Sequence, residues 1–307
     1  MAKGTHEYNI DERNANIKID VNGKLFARNK ATVSVFDSGF VLGDGVWEGI
    51  RLHEGSLVFL DQHLDRLWEG AKALDFDPGI TREELINRLH ATLKANKMQT
   101  DVHIRLMVSR GVKATPYQDP RVTISEPTIV IIAEYKTPKP STLTRGVELF
   151  TVHVRRGNPD IQDPLINSHS KLNCIIACIQ ATKAGADEAL MLDPQGFVAT
   201  CNSTHFFIVK NGEVWTSSGN YCLHGITRGN VIDLCKANGI PVSEKTFSLT
   251  ETYSAEEAFV TGTFAGIAPV RSIDGREIGT GKRGKLTKKL QDLYLKLLDQ
   301  EAGVTRV

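Results

Sequence analysis

Residues 197–239 read FVATCNSTHFFIVKNGEVWTSSGNYCLHGITRGNVIDLCKANG. The apolar runs FVATC, HFFIVK and EVWT read as successive strands, and the Asn211-Gly212 dipeptide between the last two tolerates positive φ and closes a two-residue hairpin. After an irregular stretch, ITRGNVIDLCKA has helical spacing and ends at Gly239. At its start, Gly225-Ile226-Thr227 presents backbone N–H groups, the positive end of a helix dipole and a hydroxyl, a combination that suits a phosphate monoester. Ordinary helix capping would use the same residues.

Outward from this stretch the pattern continues. Upstream, EALMLD (188–193) reads as a strand and KLNCIIACIQATKAG (171–185) as a helix. Downstream, EAFVTGTFAGIAPV (257–270) is apolar with small residues, and its Thr261-Gly262-Thr263 loop lets backbone approach an anion. A last helix, about 285–302, carries Leu286, Leu290, Leu293 and Leu297 at helical spacing. Nearer the start, IKIDVNGKLFA (17–27) is a hairpin turning at Asn22-Gly23, and a second turn falls at Glu54-Gly55. Helices are expected over 61–74 and after Thr81, whose Glu84 has capping-box spacing. VHIRLMVSRG (102–111) and TIVIIAEY (128–135) read as strands. This gives an α/β (α+β) chain. Its pattern breaks at KTPKPSTLTRG (136–146), which divides it into a domain of residues 1–138 and one of 139–307. VELFTVHVR then reads as a strand and RGNPDIQDPLINSHS (156–170) as a loop long enough to be functional.

Composition narrows the function classes. The chain has 307 residues, with 37 Lys+Arg against 36 Asp+Glu for a net charge of +1, and is 41% hydrophobic and 24% charged. Those proportions exclude a disordered or collagen-like chain, and the length favours two domains. Near-neutrality removes the basic face that a general nucleic-acid binder needs. No apolar run reaches the roughly 18 residues of a membrane span, and the polar start (1–18) is unlike a secretory signal, so a cytoplasmic protein is expected. The five cysteines form no CxxC pair, so no metal site and no disulfide framework are expected, and Cys174 and Cys178 read as core packing. The segment 279–285 matches GxxxxGK, but Leu286 stands where a hydroxyl must reach magnesium, which argues against nucleotide hydrolysis.

Lys171 lies between polar SHS and apolar LNCIIACI, an environment whose desolvation favours the neutral amine of Schiff-base chemistry. A solvated lysine at a helix start is the ordinary alternative. Arg66 lies on a helix whose other face is apolar.

VFDSGFVLGDGVWEGIR (35–51), HLDRL (63–67), Lys171 with Asn173, GADEALMLDPQGFV (185–198), CLHGITRGNVIDL (222–234) and FVTGTFAGIAPVRSIDG (259–275) together resemble the fold-type IV (class IV) pyridoxal-phosphate enzymes. That group contains branched-chain and D-amino acid aminotransferases, (R)-selective amine transaminases and aminodeoxychorismate lyase. The resemblance covers nearly the whole chain, in motif order as well as content. It implies a small N-terminal and a larger C-terminal α/β domain, with pyridoxal 5′-phosphate at their interface, and a homodimer. It also implies roles: Lys171 as the Schiff-base lysine and proton shuttle, and Arg66, Ile226, Thr227 and Thr263 as phosphate ligands, with Gly225 at the same helix start. Leu223 resembles the residue packed on the pyridine ring, and Phe264 and Ala265 those meeting the substrate carboxylate. Trp47 stands where the family usually has Phe in the substrate pocket. Arg105 resembles an arginine that admits a side-chain carboxylate, and His103 replaces a tyrosine nearby.

Two positions depart from the family pattern. Thr200 stands where a glutamate ordinarily pairs with ring N1, and Ile175 and Ile176 occupy the neighbourhood of a tyrosine that binds O3′. The favoured expectation is a branched-chain-like transaminase acting on an amino donor and a 2-oxo acid. The alternatives are D-amino acid or (R)-amine specificity, a lyase of the aminodeoxychorismate type, and a cofactor-binding protein with little catalysis.

Overall fold

The computed structural model describes residues 4–7 and 9–305, so positions 1–3 and 8 of the polar opening stretch lie outside the described residues. These residues form two compact units. Residues 10–136, 166–171 and 299–305 make the first, and 4–7, 9, 137–165 and 172–298 the second. The crossing at Lys136/Thr137 falls inside KTPKPSTLTRG, but the units differ from the uninterrupted segments 1–138 and 139–307 because residues 166–171 hydrogen-bond to a strand of the first.

In the first unit the strands are β1 (Lys18–Val21), β2 (Lys24–Ala27), β3 (Gly45–His53), β4 (Ser56–Val58), β5 (Val102–Ser109) and β6 (Thr128–Tyr135). They form an antiparallel sheet in the order β2-β1-β6-β5-β3-β4. Asn22-Gly23 and Glu54-Gly55 take positive φ, as two-residue hairpins with the sheet's twist require. Its helices are α1 (Ser38–Leu42), α2 (Leu60–Ala73) and α3 (Arg82–Ala95), and Thr81 caps α3 by accepting from the Glu84 N–H at 3.2 Å. Strand alternation sorts the side chains. Val46, Ile50 and Leu52 join Ile104, Leu106 and Ile131 in a core with Leu64, Leu67, Leu85 and Leu89 of α2 and α3. Trp47, Gly49, His103 and Arg105 belong to the opposite face.

β4 pairs only with Arg51–His53, so the Gly45–Trp47 edge of β3 is free for residues 167–169. The Trp47 N–H donates to the Asn167 carbonyl at 3.0 Å and the His169 N–H to the Gly45 carbonyl at 2.8 Å. Gly45 has no room for a side chain, since a Cβ would lie 2.6 Å from the Val108 oxygen and 2.9 Å from His169 Nδ1.

The second unit holds β7 (Val147–Thr151), β8 (Glu188–Leu192), β9 (Val198–Cys201), β10 (His205–Lys210), β11 (Glu213–Thr216), β12 (Val242–Glu244), β13 (Glu257–Gly262), β14 (Gly266–Ile273) and β15 (Arg276–Glu277). Its sheet is mixed, in the order β12-β11-β10-β13-β14-β7-β8-β9 with β15 beside β14. The helices are α4 (Pro140–Thr144), α5 (Pro159–Gln162), α6 (Leu172–Lys183), α7 (Ile226–Ala237), α8 (Leu249–Tyr253) and α9 (Lys285–Glu301), whose last residues group with the first unit. Thus β7 is shorter than the run VELFTVHVR, and the loop 156–170 contains one helical turn, α5.

The cysteines of α6 correct one expectation. Ala177 and Ala181 form its buried stripe, packed with Val152, Ala189 and Met191, because small residues let the helix approach the sheet closely. Cys174 and Cys178 are only half-buried, and Cys174 Sγ accepts from Arg156 Nη1 at 3.4 Å. All five thiols are free, and burial pushes those of Cys201, Cys222 and Cys235 up, the last to about 11. Among the described residues no helix is long and apolar enough to cross a membrane, and no group of three or more His, Cys, Asp or Glu could hold a metal ion.

Candidate active site

In the first unit the site residues gather where β3, β5 and segment 166–171 meet. Arg105 stacks its guanidinium over the Trp47 indole, 3.7 Å from the ring centroid, and Lys171 Nζ lies 5.3 Å from the same centroid. Such cation–π contacts hold a cation without neutralising it. Burial pulls Arg105 below its ordinary pKa, opposed by the charge of Glu48, while the guanidinium stays protonated at neutral pH. Lys171 Nζ also donates to Asn167 Oδ1 at 3.1 Å, and the Trp47 Nε1–H donates to the Ser168 carbonyl at 3.0 Å. His103 sits on β5 one alternation from Arg105, its ring against Gly49.

Arg66 reaches its place through residues that the motif reading passed over. Glu48, fully buried in β3, accepts Arg66 Nε at 2.8 Å, Arg66 Nη2 at 2.7 Å and His63 Nδ1 at 2.6 Å. Burial alone would push the Glu48 carboxyl up. The Arg66 charge and the hydrogen bonds from His63 and Arg66 outweigh it and hold the carboxyl below the usual range. Burial also pushes His63 down against the pull of Glu48, so its ring is neutral, with Nδ1–H on the carboxylate and a buried Nε2 that has no partner among the described residues. One signal in the sequence pointed here: Glu48 occupies the buried phase of β3 between Val46 and Ile50, where an unpaired charge is not tolerated.

In the second unit the candidate residues lie at one end of the sheet. His205 opens β10 and pairs in register with Thr261 near the end of β13. Thr263, Phe264 and Ala265 form the turn from β13 to β14. Leu223 and Gly225 precede α7, and a Cβ on Gly225 would overlap the His205 ring, so any other residue there requires that ring to move. Gly225 caps α7 with no side-chain hydrogen bond, Thr227 is buried with its Oγ1 3.5 Å from the Tyr294 hydroxyl, and the buried Thr261 hydroxyl has no partner among the described residues. These features fit a phosphate group: amides with no helical acceptor, hydroxyls and a close backbone approach. The start of α9 does not fit one. Glu257 already accepts from the Leu286 N–H at 3.0 Å, the Thr287 N–H at 2.8 Å and the Thr287 hydroxyl at 2.7 Å, which disposes of the GxxxxGK match.

Thr200 is buried on β9, and its hydroxyl donates to the Thr204 carbonyl at 2.9 Å, leaving only lone pairs for any further partner. Glu188, a buried carboxylate on the neighbouring β8, accepts from the hydroxyls of Thr5 at 2.9 Å, Thr204 at 2.8 Å and Ser203. Burial raises its pKa, partly offset by those hydroxyls.

The sequence matches the family described as amino-transferase class IV over residues 45–273. The chain belongs to the class IV amino-transferases. It is 44% identical over 280 residues to a putative branched-chain-amino-acid aminotransferase of Methanocaldococcus jannaschii, covering 91% of this chain and 95% of that one. It is 41% identical over 286 residues to branched-chain-amino-acid aminotransferase-like protein 2 of Arabidopsis thaliana, covering 93% of this chain but only 51% of that protein, so it spans about half that relative's length. The crystal structure of the branched-chain amino acid aminotransferase from Thermobaculum terrenum, in its PLP-bound holo-form, matches with a TM-score of 0.83 at 26% identity, covering 94% of this chain and 95% of that one. The class IV fold therefore accounts for both sheets. Class IV aminotransferases work with pyridoxal phosphate.

The Glu48 cluster makes a pH prediction. His63, with its pKa depressed below the ordinary value near 6.5, contributes stability above that pH that is lost as pH falls; Glu48, also depressed, contributes above about 4.3 and loses it lower still. Thermal unfolding should show stability declining in two stages on acidification. Glu48→Gln should lower stability by about 3 kcal/mol at neutral pH, since it strands Arg66, and should abolish the lower stage. An unchanged melting profile in that variant would refute the assignment.

Proposed function

We propose that this chain is a pyridoxal-phosphate-dependent aminotransferase that moves an amino group between a branched-chain or other neutral amino acid, or an amine, and a 2-oxo acid. The observation that carries the reading is the Lys171 amine held beside the Trp47 ring by the Asn167 oxygen, in a class IV chain. When bound, the cofactor supplies an aldehyde carbon and an electron-accepting ring. Lys171 would be the residue that holds the group through its amine and would carry the proton to and from the substrate carbon. In the first unit Arg66, and in the second Ile226, Thr227 and Thr263 with Gly225 clearing the approach, are the residues that would hold the phosphate, and Leu223 is the one that would pack on the ring. Trp47, His103 and Arg105 shape the substrate's side-chain site, and the backbone of Phe264 and Ala265 meets its carboxylate.

The chain is proposed to act in the cytoplasm as a homodimer. Two exposed apolar groups support the dimer: Val35, Phe36 and Phe40 around α1, with Phe40 69% exposed, and Ile175, Ile176 and Ile179 on α6. Monomeric surfaces seldom carry such groups.

The reading is tested by the absorbance spectrum of the cofactor-loaded protein. A branched-chain L-amino acid should bleach its visible band, a 2-oxo acid should restore it, and sedimentation should give the mass of two chains. No bleaching with any L-amino acid, D-amino acid or amine would overturn it.

Thr200 favours a second reading, cofactor binding with little turnover. With its proton committed to Thr204, the hydroxyl oxygen can only accept, as an uncharged partner, from a protonated ring nitrogen, whereas the charge of a carboxylate would keep that nitrogen protonated and the ring a stronger electron acceptor. Thr200→Glu should shift the spectrum and speed the half-reactions by about tenfold, the effect of roughly 1.4 kcal/mol on the barrier. If spectrum and rates both stay unchanged, Thr200 is not the partner of the ring nitrogen.

A further inference from the structure

Asn167 is 4% exposed, on the segment that lies along β3, four residues before Lys171. Its amide nitrogen faces two groups that can only accept, the Trp47 carbonyl at 2.6 Å and Glu48 Oε1 at 3.5 Å. Turning the amide over would set its oxygen against two oxygens, so the orientation is fixed by chemistry. Oδ1 is thereby aimed the other way, at Lys171 Nζ, which donates to it at 3.1 Å.

We infer that Asn167 is a positioning residue for the Lys171 amine, holding Nζ beside the Trp47 ring and tying its place to the buried Glu48 carboxylate that orients Arg66. An amide suits this task for a physical reason. It neither titrates nor attacks an aldehyde, and it stands between the lysine and Glu48, so the oxygen it presents to the amine is neutral. The buried carboxylate therefore sets the amine's position at one remove, while its charge remains engaged by Arg66. The catalytic meaning of this arrangement rests on the transaminase reading above; the hydrogen bonds do not.

The test is competitive trace acetylation of the full chain, treated with hydroxylamine to release any bound aldehyde, with each lysine's rate read by peptide mass spectrometry. Asn167→Ala removes that oxygen, and Lys171 should acetylate about threefold faster or more while the other lysines keep their rates. Asn167→Asp loses the same N–H donors to Trp47 and Glu48 but keeps an oxygen for Lys171, so its rate should stay at or below that of the unsubstituted chain. Equal Lys171 rates in the two variants, or no change in Asn167→Ala, would show that Asn167 only scaffolds the strand edge. A second measurement needs no substitution at 167. After reductive methylation with labelled formaldehyde, the Lys171 signal, assigned by its loss in Lys171→Arg, should be displaced from those of solvated lysines by the Trp47 ring. A signal at the solvated position overturns the inference. Failure of the transaminase reading would leave the labelling rates and the displaced signal as described, so the two failures are distinguishable.

Discussion

A carboxylate stripped of water must be paired, and in this chain the pairing of Glu48 organises the first unit. An uncompensated charge at that depth would cost several kcal/mol. Three donors from α2 and the Asn167 amide meet it. Each of those donors does something else as well. Arg66 is brought to one orientation, the His63 ring is set with its Nδ1–H on the carboxylate, and Asn167 is turned so that its oxygen faces Lys171. The helix face and the opposite face of the sheet are thus connected at the β3 edge, through one side chain whose two ends have opposite hydrogen-bonding character.

The second unit shows the same economy at two helix starts. At α9, Glu257 occupies the first-turn amides and closes the site to any other anion. At α7, Gly225 provides no side-chain acceptor and lies so close to the His205 ring that a Cβ there would displace it. Both helices begin beside a glycine in sequence, and what separates them is a carboxylate contributed by β13, 30 positions before Thr287. That difference determines which glycine-rich turn can receive a phosphate.

Local chemistry was legible in the sequence. Asn22-Gly23, Glu54-Gly55 and Asn211-Gly212 turn the chain where their tolerance of positive φ allows it, Thr81 caps α3 with its hydroxyl, and Gly239 takes the positive φ that follows the end of α7. The α/β class followed from the spacing of apolar residues and turns, and the family from motif order. What was not legible is what depends on partners distant in sequence. Asn167 looked like part of an irregular loop because its strand-like pairing is with Trp47, 120 positions earlier. Cys174 and Cys178 looked like core because an apolar helix does not announce which stripe is buried, and here the alanines have it. Glu48 carried a readable signal, a charge in the buried phase of a strand, whereas its partners on α2 could be identified only from the fold.

Lys171 is the amine proposed to meet the cofactor. The most direct measurement is borohydride reduction of the cofactor-loaded protein followed by peptide mapping of the modified lysine. The account predicts that the reduced cofactor is found on Lys171 and on no other lysine. Attachment to a different lysine, such as the buried Lys113, or a reduced protein carrying no covalent cofactor, would contradict it.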